Sequence, residues 1–372
     1  MKKQLLILTA AYIASRLILL ILAGVFLSSF GFMRENWDGN LHLERRNPAW
    51  VEALYRWDAC WYLEIAEYGY TATRGHREDR RLGAIPFSAG FFPLTPYAVK
   101  ALKPLAGSYE LAGIAAGLAG GWLAIAGLFL LARSALGEDT AFRAALLLLC
   151  FPSSIFLSLP FSEGWFLGLL CLGFLALQTH FSEGLPAFTF AVLARPLGLF
   201  LPVGLAFARR PRPARLKALA AWALGVGLLM LVFHAALGGL EPFFQRQALS
   251  RGMATGPWHF LVEFFRWTPK GWFSWKGGYL DLLLAFGAIA TLALGPRRMK
   301  LPLEWNLWGW TAVLVPLCSS LLSFQRLLLP AFPLFLYWTG WLPRRAFWAV
   351  LALLASVQIY YLYRYATFQW IA

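Results

Sequence analysis

Residues 4–30 read QLLILTAAYIASRLILLILAGVFLSSF, an apolar run that contains a single charged side chain, Arg16. About 20 consecutive apolar residues are enough for a helix to cross the hydrocarbon core of a bilayer. The run is too long for the h-region of a signal peptide, which has about 7–15 residues, and no small-residue cleavage pattern precedes Gly31. The stretch therefore predicts a retained transmembrane helix at the amino terminus.

The composition of the whole chain agrees with a membrane protein. Of its 372 residues 59% are hydrophobic and 14% are charged, and the mean hydropathy is +0.60; soluble domains have roughly 25% charged residues. The net charge of +15 comes mainly from short basic clusters between apolar runs, at 209–217, 297–300 and 344–345. Such clusters are typical of cytoplasmic loops, so we expect no nucleic-acid partner. Four scattered cysteines without CxxC spacing argue against redox chemistry and zinc.

We predict an all-α polytopic membrane protein that forms one integral membrane domain over residues 1–372, with about 9–11 transmembrane helices. Lys2 and Lys3 place the amino terminus in the cytoplasm. Residues 31–108 then form a long first extracytoplasmic loop with amphipathic helices, and residues 239–278 form a second, tryptophan-rich external segment. The predicted spans are 4–30, 109–132, 141–159, 162–179, 216–238, 279–295, 301–322, 326–342 and 346–363.

Two stretches, 91–105 and 185–208, admit two topologies. In the one we predict, 91–105 is an interfacial helix because prolines and lysines interrupt it. Residues 185–208 then form a re-entrant hairpin that breaks at Arg195 and Pro196, because proline interrupts the helical hydrogen-bond ladder. In the alternative, 87–102 is a true span and 185–208 crosses the membrane once, which inverts everything between them.

Half of the 18 acidic residues lie between Glu35 and Asp79, so carboxylate chemistry is expected in the first loop. Residues 56–70, RWDACWYLEIAEYGY, combine acids with aromatic rings that could stack on a sugar. On a helix Asp58 shares a face with Tyr62, whereas Glu64 points elsewhere and is not an obvious acid–base partner of Asp58. The alternative interpretation is an amphipathic interfacial helix with solvated acids.

Two arginines, Arg195 and Arg326, lie in or beside apolar stretches and need anionic partners there. The planar guanidinium fits a phosphate group well. The alternative partners are the protein's own carboxylates, Glu163 and Asp281, or, for Arg326, snorkelling from a helix end. For Arg16 we expect a structural salt bridge. Glu163 itself begins a helix behind Ser162 in PFSEG, where helix capping alone could explain it.

Three motifs stand in order along the chain: RWDACWYLEIAEYGY (56–70), FFPLTP (91–96) and FPSSIFLSLPFSEG (151–164). Together they resemble the PIG-V mannosyltransferases and their bacterial relatives. ARPLG (194–198) and SFQRLLLPAFP (323–333) resemble the arginine segments of that family, so the likeness extends from about residue 56 to 333. Eukaryotic members have a different context after the arginine that corresponds to Arg195.

The resemblance implies a GT-C-like fold and an inverting transfer of a sugar, mannose in this family, from a polyprenyl-phosphate donor outside the cytoplasm. It implies Asp58 as the catalytic base, and Arg195 and Arg326 as ligands of the donor phosphate. The acceptor, whether glycan, lipid or protein, is left open, and short loops suggest a bacterial cytoplasmic membrane. We expect no cofactor, although Asp58, Glu64 and Glu67 leave a divalent ion open. The predicted substrate-binding residues are Trp57, Trp61, Tyr62, Glu64, Tyr70, Phe92, Glu163, Gln247, Arg251 and His259.

Two other functions compete with a transferase. Intramembrane arginines also suit a transporter or flippase of a lipid-linked or anionic solute. No internal repeat of 20–50 residues is visible, which gives an inverted-repeat transporter no support. A purely structural subunit of an assembly would leave Asp58 and the arginines individually replaceable.

Overall fold

The computed structural model describes residues 2–31, 47–70, 86–179, 182–251, 256, 258–266, 271–274 and 277–371. The predicted first loop and the second external segment are therefore described in part. Residues 32–46 and 71–85 of the first, and residues 252–255, 257, 267–270 and 275–276 of the second, lie outside the described residues.

All regular elements in these ranges are helical, with no strand among them, which confirms the predicted all-α class. The α-helices are α1 (Lys2–Phe30), α2 (Ala49–Glu52), α3 (Asp58–Tyr68), α4 (Leu94–Ala106), α5 (Tyr109–Leu136), α6 (Glu138–Cys150), α7 (Glu163–Thr179), α8 (Ala187–Ala194), α9 (Pro202–Leu205), α10 (Arg212–Leu237), α11 (Glu241–Arg251), α12 (His259–Arg266), α13 (Tyr279–Leu294), α14 (Leu303–Leu317), α15 (Phe324–Leu327), α16 (Pro333–Trp341) and α17 (Arg344–Ala366). Short 3-10 helices cover Phe87–Gly90, Pro152–Leu157, Ser182–Gly184, Pro196–Phe200 and Gly295–Arg297.

Five helical segments are long and apolar enough to cross a bilayer: α1, α5, α10, α13 with its short 3-10 extension, and α17. Four of them have most of their surface turned outward, whereas α5 is 67% buried over its apolar window. Helix α5 therefore forms the centre of the bundle, and the others present apolar side chains to lipid. The chain is an integral membrane protein.

Three predicted spans are interrupted rather than continuous. The stretch 141–159 is α6 followed by the 3-10 helix Pro152–Leu157, and 301–322 ends as a helix at Leu317. The stretch 326–342 is divided into α15 and α16, the second of which begins at Pro333. Prolines are the physical reason, because each removes a backbone donor and clashes with the preceding turn. These interruptions place irregular backbone in the interior of the bundle.

Helix α4 covers most of the stretch predicted as an interfacial helix, and its position at the interface stays a prediction. It has 13 residues and one strongly apolar face, and 13 residues of helix reach only about 20 Å, short of the roughly 30 Å hydrocarbon core. The alternative span over 87–102 is not continuous either, since Phe87–Gly90 is a separate 3-10 helix.

The predicted break at Arg195 is confirmed, and the chain doubles back there. Arg195 has an extended backbone between α8 and the 3-10 helix that follows. Gly198 lies directly against the backbone of Val192, and Phe188 and Gly204, on the two legs, both lie near the ring of Phe174. The beginning of the first leg and the end of the second leg therefore both lie beside Phe174 of α7. Residues 187–205 form a hairpin with Arg195 at its tip.

The described parts of the two predicted external segments contact each other. The Gln247 side-chain amide on α11 donates to the Gly90 carbonyl at 3.2 Å. The Arg246 guanidinium lies 3.4 Å from the centre of the Phe87 ring, and Phe243 packs on Phe92 with ring centroids 5.3 Å apart. Helix α11 is therefore docked on the segment that joins the first loop to α4.

Candidate active site

Asp58 is the first residue of α3 and directly follows a residue with an unusual backbone conformation. Trp57, immediately before it, has φ 48° and ψ −119°. A bulky residue with positive φ is strained and persists only where the surrounding structure holds it. A carboxylate in the first turn of a helix also interacts favourably with the helix dipole.

Arg326 reaches the same place from the other end of the chain. It lies on α15, a single helical turn that begins after Ser323, whose backbone is left-handed with φ 59°. The non-glycine residues with positive φ among the described ranges are Trp57, Ser323 and Phe368, and the Phe368 ring stacks on Trp57. Backbone strain is thus concentrated around Asp58 and Arg326, as is common at functional sites.

Glu163 begins α7 at the end of the irregular segment that follows α6. The next residue, Gly164, lies so close to the Leu157 carbonyl and to the backbone of Gly120 on α5 that a Cβ would clash with both. Small residues at such contacts let helix backbones approach closely within membranes. Glycine at 164 therefore seats the amino-terminal end of α7, and with it Glu163, in the centre of the bundle.

These elements bring two acids and two arginines together in one alternating series, called the ion-pair chain below. Arg326 Nη2 lies 2.7 Å from Asp58 Oδ2, and Arg326 Nε lies 3.0 Å from Glu163 Oε1. The same Glu163 oxygen is paired with Nη1 of Arg195, at the tip of the hairpin. Sequence reasoning predicted each of these four residues individually, and the fold connects them in the order Asp58, Arg326, Glu163, Arg195.

The ion-pair chain is closed at one end and open at the other. The Glu163 side chain is 1% exposed and the two arginine side chains about 10%, whereas the Asp58 side chain is 31% exposed. The rings of Phe156 and Phe161 lie 5.5 and 5.2 Å from the Arg326 guanidinium carbon and shield it. A molecule that approaches this site therefore meets Asp58 first, with buried positive charge behind it.

Tyr62 and Ser162 complete the buried end of the site. The Tyr62 hydroxyl donates to Ser162 Oγ at 2.8 Å, and Arg195 Nη1 lies 3.4 Å from the same oxygen. Tyr62 lies on α3, which is not one of the five membrane-spanning segments. Burial raises the pKa of its hydroxyl above the ordinary value, and the nearby charge of Glu163 raises it further. Burial therefore favours the neutral Tyr62 hydroxyl, which donates to Ser162.

The last turn of α17 clamps the loop that carries Asp58, a contact that the sequence did not reveal. The fully buried Arg56 guanidinium donates to the carbonyls of Tyr55 and Ala366, at 2.7 and 3.2 Å. The Tyr365 hydroxyl donates to the Leu54 carbonyl at 2.9 Å. The Trp57 ring packs among aromatic side chains of the same carboxyl-terminal segment, namely Tyr365, Phe368 and Trp370. An aromatic-rich stretch, YYLYRYATFQW at 360–370, is the signal that could have pointed to it.

Three of the predicted substrate-binding aromatics are packed against protein. Trp61 stacks on Phe87 with centroids 4.4 Å apart, and the Tyr70 hydroxyl donates to the Phe91 carbonyl at 3.0 Å. Phe92 is 1% exposed and belongs to the core. Trp57 and Tyr62 are also held by the contacts described above. These residues surround the site, and their contact with substrate stays a prediction.

The polar candidates outside the ion-pair chain are dispersed. Glu64 is half-buried on α3, and Gln247 bonds to Gly90 as described. His259 Nε2 lies 3.7 Å from Glu263, one turn along α12. Arg251 ends α11, and its side chain lies outside the described residues. Across the described ranges, no group of three histidine, cysteine, aspartate or glutamate side chains is arranged to hold a metal ion.

The expected salt bridge of Arg16 is not found in the described part of the chain. Arg16 Nη2 instead lies 3.3 Å from the Leu149 carbonyl, and its guanidinium carbon lies 5.3 Å from the centre of the Tyr12 ring. Asp281, the alternative partner for an arginine, accepts from the Gly278 backbone N–H at 2.8 Å. Arg195 and Arg326 are paired with Glu163, as the alternative interpretation also foresaw.

No family model and no curated protein matches the chain. Among solved structures it is similar to the Archaeoglobus fulgidus oligosaccharyltransferase tethered with an acceptor peptide, at 14% identity and a TM-score of 0.49 over 96% of this chain and 55% of that one. It is also similar to ArnT from Cupriavidus metallidurans bound to undecaprenyl phosphate, at 15% identity and a TM-score of 0.49 over 93% of this chain and 62% of that one. The chain thus spans 55–62% of the length of these two structures. At these scores the likeness carries no argument about this chain.

Proposed function

We propose that this chain is a GT-C-like membrane glycosyltransferase that moves a sugar from a polyprenyl-phosphate donor to an acceptor hydroxyl, with inversion at the anomeric carbon. The observation that carries the proposal is the direct contact of Asp58 with Arg326 in a series whose other end is buried. A carboxylate that is reachable from outside, with two guanidinium groups behind it, provides both a base and a phosphate site.

The chemistry assigns a role to each end of the ion-pair chain. Asp58 accepts the proton of the acceptor hydroxyl as that oxygen attacks the anomeric carbon. The bond from the sugar to the lipid phosphate breaks, and its electron pair stays on the phosphate oxygen. Arg326 and Arg195 stabilise the charge that develops there, in surroundings where water is largely excluded. A phosphate leaving group needs no separate acid, so one carboxylate with two cations is sufficient.

The resemblance supplies the finer assignments. Mannose is the sugar, and the extracytoplasmic face of a bacterial cytoplasmic membrane is the location that the positive-inside pattern and the PIG-V-like motifs support. Helix α4 and the docked α11 would then border the site at the outer interface. The acceptor is a hydroxyl of a glycan, a lipid or a protein.

The purified chain, reconstituted in liposomes with polyprenyl-phosphate donors labelled in the sugar, tests the proposal. The donors carry mannose, glucose or galactose, and octyl glycosides serve as soluble acceptors. We expect label to move to the acceptor, most rapidly from the mannose donor, with release of one polyprenyl phosphate per sugar. Label that crosses the bilayer in the unchanged donor would instead identify a flippase, and label that stays in the donor on its original side would also contradict the proposal.

A further inference from the structure

Arg326 contacts its two acidic partners through different nitrogens, Nη2 for Asp58 and Nε for Glu163. The guanidinium is planar and rigid, and Nε and Nη2 lie next to each other on one of its edges, so each of these nitrogens can hold one oxygen-rich partner. The Nε contact leads to buried Glu163, whereas the Nη2 contact leads to the partly exposed Asp58 at the accessible end of the site. A lipid phosphate that binds at this site would need the Nη2 position that Asp58 occupies.

The reaction of the proposed function shifts negative charge between these two competitors. The donor is a phosphodiester with one negative charge, and the leaving polyprenyl phosphate is a monoester that carries close to −2 near neutral pH. The acceptor proton neutralises Asp58 at the same time as the sugar–phosphate bond breaks. The total charge of acids, arginines and phosphate is therefore unchanged, while one negative charge moves from Asp58 to the phosphate.

We propose that Asp58 and the lipid phosphate share Nη2 of Arg326 as their binding partner, so that neutralisation of the base and retention of the leaving group are coupled through this one side chain. The inference rests on the proposed function and adds a link between its two halves. When Asp58 is protonated, its ion pair with Arg326 weakens and Arg326 binds the phosphate. When Asp58 loses its proton to water, it forms the ion pair with Arg326 again and the polyprenyl phosphate dissociates.

Glu163 makes this exchange feasible, because its ion pair with Arg326 Nε at 3.0 Å does not involve Nη2. Its side chain is buried, and its Oε2 has no hydrogen-bond partner among the described residues, so its charge is balanced by Arg326 and Arg195. The flanking rings of Phe156 and Phe161 leave the guanidinium little freedom to turn away. Arg326 can therefore exchange Asp58 for the phosphate while its side chain stays in the same position.

The test measures binding of undecaprenyl phosphate to the detergent-solubilised full-length chain, with undecaprenol as the uncharged control for the lipid tail. In Asp58→Asn the competing charge is removed, so the phosphate-dependent affinity should rise. Coulomb's law at about 6 Å and an effective dielectric constant of about 20 gives about 100-fold for each unit of phosphate charge, and screening by solvent at the partly exposed Asp58 reduces it, so we expect a rise of about 10- to 100-fold. Glu67→Gln removes the same charge from the opposite side of α3 and should leave the affinity within twofold of wild type.

Arg326 is tested by repeating the Asp58→Asn substitution in an Arg326→Gln background, where we expect the gain in affinity to disappear. Arg326→Lys serves as a second background that keeps the positive charge beside Glu163 but has one nitrogen in place of separate Nε and Nη2 donors, and there the gain should fall below threefold. Equal affinity of wild type and Asp58→Asn would overturn the sharing, as would a gain that persists in both backgrounds. Absence of phosphate-dependent binding in every variant would instead remove the proposed function itself.

Discussion

Two buried arginines, Arg326 and Arg16, differ in what surrounds them. Arg326 lies between two carboxylates, Asp58 and Glu163, at an end of the bundle that can be reached from outside. Arg16 lies in the middle of α1 with a backbone carbonyl as its hydrogen-bond acceptor, and its Nε and Nη1 have no hydrogen-bond partner in the described ranges. Both are equally conspicuous in the sequence, as single arginines in or beside apolar runs.

The difference shows that burial of a charge does not by itself mark a site in a membrane protein. What distinguishes Arg326 is an alternating series of charges with one accessible member and with strained backbone on either side. Arg16 is surrounded by groups that are already satisfied, because Ser154 and Gln358 also donate to the Leu149 carbonyl, at 2.8 and 3.1 Å. The first arrangement is the one to which we assign a ligand in the proposed function.

The largest expected effect on stability is that of Glu163→Gln. It removes the buried anion that both Arg326 and Arg195 share, and breaking a buried ion pair costs about 3–5 kcal/mol because it leaves charge uncompensated. We expect a corresponding drop in the stability of the detergent-solubilised chain, measured by thermal unfolding. Glu67→Gln, on the partly exposed α3, is the matched control, and equal stability of the two variants would show that Glu163 carries no structural charge.

Arg326→Gln tests the arginine that belongs to the site. Loss of one charge-stabilising donor typically lowers turnover by about 10²–10³-fold. We expect a reduction of this size in transfer from the polyprenyl-phosphate donor. If Arg16→Met reduces transfer as much as Arg326→Gln does, the distinction between the two arginines is wrong.

Arg16→Met tests the other arginine and should have a smaller effect of opposite sign on stability. Replacing a poorly compensated buried charge by an apolar side chain of similar volume is often stabilising, here by about 1–2 kcal/mol. The expected result is a higher thermal midpoint with unchanged transfer. A lower midpoint would show that the contacts of Arg16 with the Leu149 carbonyl and the Tyr12 ring outweigh the cost of burying its charge.

Tyr365→Phe should have the smallest effect and concerns the clamp on the loop of Asp58. Loss of the hydroxyl that holds the Leu54 carbonyl removes one hydrogen bond, worth about 1 kcal/mol. Because Tyr365 is a positioning residue, we expect kcat to fall several-fold while KM for the donor stays unchanged. A change confined to the thermal midpoint would assign Tyr365 a structural role alone.

Much of the fold follows from apolar run length. The spans at α1, α10 and α17 were predicted within a few residues, because long uninterrupted apolar sequence leaves the backbone no alternative in lipid. The break at Arg195 was predicted from Pro196. The interruptions after Cys150 and Leu317 were not predicted, because hydropathy is equally high whether the backbone of a run is helical or irregular; Pro152 and Pro316 are the signals that could have indicated them.

The site was predictable in its members and not in its connections. Asp58, Glu163, Arg195 and Arg326 stand out as charges beside apolar or aromatic sequence, yet which acid meets which arginine depends on how distant segments pack. The carboxyl-terminal clamp was missed for the same reason, since Arg56 and Ala366 are 310 residues apart in the sequence. Contact of the aromatic residues near Asp58 with substrate stays a prediction, because a packed ring and a sugar-stacking ring have the same sequence signature.

The most direct test of the central claim compares transfer by wild type, Asp58→Asn and Glu67→Gln in one preparation, with the thermal midpoint measured on the same samples. Loss of a general base lowers turnover by about 10²–10⁴-fold. We therefore expect Asp58→Asn to lose transfer to that extent while its midpoint stays close to wild type, and Glu67→Gln to retain both. Transfer by folded Asp58→Asn at the wild-type rate would contradict the assignment of Asp58 as the base.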